Sequence, residues 1–176
     1  MNRENICSTA QSLSEGTSAL LAGWETAAEV LREALPDHPW AVSDHVSVGL
    51  AAWIHVRYGA DRAGFRSFFA DELRRARESQ SKQLWSRARP HQLHPEPEAE
   101  RLLSQIDFQL SILARETGVA LPEALYGRER DAFSIRNVGT RYSLGDANLR
   151  VKQDLEGVLA FAQAAISVFC PRPAEP

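Results

Sequence analysis

The stretch from about Asp146 to Pro171 limits what this chain can fold into more than any other. Val151, Leu155, Val158, Leu159, Ala162, Ile166 and Phe169 recur at intervals of three and four. That is the period that stacks side chains on one face of an α-helix. Pro171 ends the pattern, because proline offers no backbone N–H and clashes with the preceding turn. A helix with one apolar stripe has to bury it against another element. The rest of the sequence therefore has to supply partners.

Four further helical patterns answer that need. Leu20, Trp24, Ala27, Ala28, Leu31 and Leu35 follow "GTS" and stop at Pro36. Ser43 reads as the N-cap of a second helix carrying Val46, Leu50, Trp53 and Ile54, halted by Gly59. Asp61 caps a third with Phe65, Phe68, Phe69, Leu73 and Ala76, which has room to run on through Leu84 and Trp85. Glu96, Glu98 and Glu100 oppose the positive dipole end of a fourth, striped by Leu102, Leu103, Ile106, Leu110 and Leu113 and closed by Gly118. A short helical turn is expected over Pro122–Tyr126. No convincing β-alternation appears. The expected fold is an all-α bundle of about five main helices, mostly antiparallel because the connections are short.

The segment "RARPHQLHPEPE" holds three prolines in eight residues and reads as a hinge loop near 89–97. It divides one domain, 1–176, into a three-helix part, 1–88, and a part with two main helices, 98–170. A chain of 176 residues can bury a sizeable core without cross-links. Its two cysteines, Cys7 and Cys170, stand at opposite ends. With no apolar leader at the N-terminus they are expected as free thiols in the cytoplasm, a terminal bridge being the other arrangement. No apolar run approaches the ~18 residues of a membrane span.

The net charge of −3 argues against a strongly nucleic-acid-binding protein. The charges are segregated, however. Residues 61–89 carry eight basic and four acidic side chains, and 128–152 six and three. The first 60 residues have three basic and seven acidic, and 96–123 two and six. The basic segments would form an anion-binding face if they met, and the acidic ones suit a basic partner.

Motifs with a built-in chemistry are scarce. There is no GxSxG nucleophile, no phosphate-cradling glycine loop and no CxxC pair. His91 and His94, with Glu96 and Glu98 nearby, are metal-ligand types. Pro90, Pro95 and Pro97 keep them off a helix, so an exposed polar loop is the expected reading. Asp44 and His45 read as surface residues, and His55 as a core-edge histidine hydrogen-bonded to a carbonyl. Trp24, Trp53 and the Phe65, Phe68, Phe69 stripe read as core. Trp40, in the "DHPW" turn, and Trp85 fit the stripes least well and are candidates for a partner surface. No catalytic residue, metal site or cofactor is expected.

The stretch "SIRNVGTRYSLGD", 134–146, concentrates polar function just ahead of the last helix. Arg136 and Asn137 are followed by Val138, Gly139 and Thr140, then by Arg141 and Tyr142. This resembles the HEPN family of helical domains, marked by Arg, a polar residue, three variable residues and a His before a late helix. "IDFQLSILARETGVALPEAL" is similar to the helix and turn that precede the motif in members partnering nucleotidyltransferases. The resemblance spans residues 96–170 at most.

It implies descent from a metal-independent ribonuclease of a toxin–antitoxin or defence system, acting across a homodimer. Arg141 stands where the family has its His, and a guanidinium stays protonated at physiological pH. Such a domain would bind a protein, or RNA, without cutting. The expected function is a non-enzymatic helical interaction or regulatory protein. The alternatives are a HEPN-like RNA-binding domain, with Arg136, Asn137, Arg141 and Tyr142 at its interface, and a small-molecule-binding bundle. In the plainer reading of the loop, Asn137 and Gly139 make a turn while the arginines contact carbonyls or carboxylates.

Overall fold

A computed structural model describes residues 1–34, 46–78, 91, 94–125, 133–138 and 147–172. Within them five α-helices form: α1 over Arg3–Ala34, α2 over Val48–Tyr58, α3 over Arg62–Glu78, α4 over Pro97–Thr117 and α5 over Ala147–Phe169. Two short 3-10 turns, Glu123–Leu125 and Ile135–Asn137, lie between α4 and α5. The all-α bundle expected from the periodicity is the fold.

The long α1 is its hub, packing on α5, α2, α4 and α3. Cross-helix contacts fix the directions. Arg3, at the start of α1, donates to the carbonyls of Val168 (2.8 Å) and Phe169 (3.1 Å) at the end of α5. The Met1 amine lies 3.4 Å from Glu116, while Gln109 donates to Ser12 at 2.6 Å. Thus α1 runs antiparallel to both α5 and α4. Glu29 pairs with Arg62 and Glu33 with Arg66, so α3 runs parallel to α1. The core fills the space between, with Leu13, Leu20, Leu31, Trp53, Phe65, Leu110, Leu113, Leu155 and Val158 all buried.

Local chemistry accounts for most helix ends. The Asp61 carboxylate accepts from the Gly64 N–H at 2.9 Å, the expected cap of α3. Pro97 opens α4 with Glu98 and Glu100 in its first turn, and Gly118 closes it in the left-handed region at φ 65. The cap of α2 is Ser47, whose hydroxyl accepts from the Leu50 N–H at 3.1 Å. Ser43, Pro36 and the continuation of α3 through Leu84 and Trp85 lie outside the described residues.

Two expectations are corrected. The first helix begins at Arg3, well before "GTS". Ile6, Ala10, Leu13 and Thr17 extend the buried stripe through residues dominated by Ser, Thr, Gln and Glu. The cysteines are also not free. Cys7 and Cys170 form a disulfide, their Cα atoms 4.9 Å apart, because antiparallel packing lays the second turn of α1 beside the end of α5. Among the described residues no helix is long and apolar enough to cross a membrane.

Candidate functional site

The 134–138 turn sits on α4, and one carboxylate holds it there. Asp107 accepts from the Ser134 hydroxyl (3.0 Å), the Ile135 N–H (2.6 Å) and the Arg136 guanidinium (3.2 Å). Arg136 also reaches Glu100 at 2.6 Å. The Asn137 amide donates to the Leu125 carbonyl at 3.1 Å, tying the two 3-10 turns together. Ile135 and Val138 are buried beneath them. Arg136 and Asn137 thus hold the loop down, as the plainer reading of this stretch has it. Gly139, Arg141 and Tyr142 lie outside the described residues, as do Trp40 and Trp85.

Among the described residues, part of the segregated charge is paired within the chain. Arg62 and Arg66 face α1 carboxylates, while Arg74 pairs with Asp71 and Arg75 with Glu72. On the acidic side Glu96 meets Arg57, Glu98 meets Arg101, and Glu116 meets the N-terminus. These exposed pairs contribute little stability. They offset the charge of the residues that take part; the other basic side chains of 61–89 and most of those of 128–152 lie outside those described.

The aromatic residues divide as expected for core. Trp53, Phe65 and Phe69 are buried, with Tyr58 and Phe68 packed against them. The Arg57 guanidinium lies 5.1 Å from the Trp53 ring centroid and 5.8 Å from that of Phe68. Burial pushes the Tyr58 phenol above its usual pKa, against the pull of Arg57. The His91–His94 segment lies on this layer. The Trp53 indole donates to the His94 carbonyl at 2.7 Å, and a Cβ at Gly49 would lie 3.3 Å from the His91 ring. His91 is half-buried while His94 is exposed, so the exposed loop expected here is met at His94 and not at His91. No three His, Cys, Asp or Glu among the described residues gather as metal ligands.

A half-open groove of about 300 Å³ separates α1 from α4, with α2 contributing one residue to its lining. Its polar groups come from Ser12, Glu15, His55, Gln105 and Gln109. Its apolar lining is Ala19, Leu102 and Ile106. Gln109 is only 7% exposed, and its N–H donates to Ser12. His55 is half-buried, and its ring makes no hydrogen bond with a described residue. This corrects the expectation of a carbonyl partner: α2 turns the imidazole toward the groove instead. Glu15 makes no ion pair among the described residues. No lysine or arginine lines the groove.

Neither Asp107 nor the groove was legible in the sequence, since each depends on segments brought together by folding. Phe108, next to Asp107, was also missed. It points outward from α4 and is 66% exposed. Together these features define an all-α bundle whose arginine loop is pinned internally and whose open polar groove lies beside an exposed aromatic. No protein-family model, curated protein or solved structure matches the chain.

Proposed function

We propose that the chain is a non-enzymatic helical interaction protein that docks a partner on the outer face of α4. The observation that carries this is Phe108, 66% exposed on a regular helix whose apolar face is otherwise buried. One turn earlier on the same face, Gln105 stands at the rim of the groove. Exposed Arg101, Ser104, Ser111 and Arg115 surround the two. An aromatic anchor inside a polar rim is the usual composition of a binding hot spot. The pairing of Arg136 with Glu100 and Asp107 favours a protein over RNA, because its charge already faces two carboxylates.

The test is capture from the native host with immobilised wild-type protein and with Phe108→Ser. The same partner should be held by the wild type and lost by roughly tenfold or more in the variant, in line with truncation of an aromatic hot spot. Thermal melting of the variant should stay unchanged, as the side chain is outside the core. Equal retention by both proteins would remove this face as the docking site.

A further inference from the structure

We infer that the groove between α1 and α4 receives an alkylammonium group, the end of a lysine side chain presented by the docked partner. This rests on the docking reading and names the partner's chemistry. Glu29, Glu33, Glu96, Glu98, Glu100, Asp107 and Glu116 all have cationic partners within the chain. Glu4, Glu15 and Glu25 make no such pair among the described residues, and of the three Glu15 lines the groove. Its carboxylate is the only acidic group in a lining that holds no lysine or arginine. Such a lining repels anions and attracts a cation.

The neutral groups point the same way. Ser12, Gln105 and Gln109 add acceptor oxygens, and the His55 imidazole lies in the same lining. An ammonium carries three donors and no acceptor, so acceptors are what it needs. Ala19 from α1 and Leu102 and Ile106 from α4 offer apolar surface for the methylene stem. Gly16 closes the floor, where a Cβ would lie 3.2 Å from Ile106. A single carboxylate suits the point charge of lysine better than the flat fork of arginine, which favours two matched oxygens.

The experiment titrates the full isotope-labelled chain with Nα-acetyl-lysine methylamide while following the Gln105, Gln109 and His55 side chains by NMR. Saturable shifts at all three are expected. The Nε-acetylated compound, which lacks the charge, should bind about tenfold more weakly. Glu15→Gln should weaken the lysine compound roughly two- to fivefold, the range of an exposed ion pair, and leave the melting temperature unchanged. Silence at those three side chains would overturn the proposal, as would equal binding by the norleucine analogue or tighter binding by the arginine analogue. Failure of this proposal is distinct from failure of the docking reading. Lysine binding that persists while Phe108→Ser retains the partner leaves the ammonium site standing and overturns only the Phe108 docking face. A Phe108-dependent partner with no lysine response upholds docking and sinks the lysine.

Discussion

At the scale of single residues, a missing side chain lets α1 and α2 approach closely. A Cβ at Gly23 would fall 2.1 Å from the Ala51 carbonyl oxygen, a backbone atom that cannot swing aside. Gly23→Ala therefore has to push α1 and α2 apart. Overpacking of this kind destabilises by about 1–3 kcal/mol, with larger values on record. Gly118→Ala is the useful contrast. Gly118 sits at φ 65 with nothing within 4 Å, so its substitution strains only the backbone, by about 1 kcal/mol. Urea unfolding midpoints should rank Gly23→Ala below Gly118→Ala and both below the wild type. A Gly23→Ala protein as stable as the parent would mean the two helices do not meet at this point. The helix-ending role of Gly118 was legible in the sequence because it is local: a left-handed residue after a stripe. The role of Gly23 was hidden because Ala51 belongs to another helix.

At the scale of elements, legibility follows the clarity of the stripe. The helices α4 and α5 were readable nearly to their ends, because leucine, isoleucine and valine mark one face and proline or glycine marks the boundaries. The first half of α1 was not. Its stripe runs through Thr17, a fully buried hydroxyl, and its exposed positions include Asn5, Ser8 and Ser18, residue types that also favour caps and turns. What makes that half helical is burial against α4 and α5, far away in sequence. The 134–138 loop has the same character. Arg136 drew notice for its charge, yet Asp107 does more to place the loop, accepting from a hydroxyl, a backbone N–H and a guanidinium. Asp107→Ala should destabilise by about 2 kcal/mol, since it strands a backbone donor and breaks charge-assisted bonds. Arg136→Ala should lose less than about 1 kcal/mol, because its side chain is 42% exposed and solvent screens the pairs. Chemical denaturation of the two variants checks the order, and a larger loss for Arg136→Ala would reverse the assignment of roles.

At the scale of the whole molecule, the two ends of the chain are fastened to one end of the bundle. Cys7–Cys170 joins positions 163 residues apart, Arg3 caps the carbonyls of α5, and the Met1 amine meets Glu116. The cysteine count permitted this bridge without requiring it, because pairing is decided by which helices lie side by side. A cross-link closing so long a loop restricts the unfolded chain strongly, and loss of such a bridge costs about 2–5 kcal/mol. For a chain of this size that corresponds to a melting temperature lower by roughly 5–15 °C. Melting followed by circular dichroism with and without a dithiol reductant should show the drop. Cys7→Ser and Cys170→Ser should each melt near the reduced wild type and be insensitive to the reductant. In the reduced protein the Arg3 bonds are what still hold the two helix ends together, so Arg3→Ala should lower the melting temperature more there than in the oxidised form. Two titratable thiols in the native wild type, with no response to reductant, would show that the ends are held by packing and by Arg3 alone.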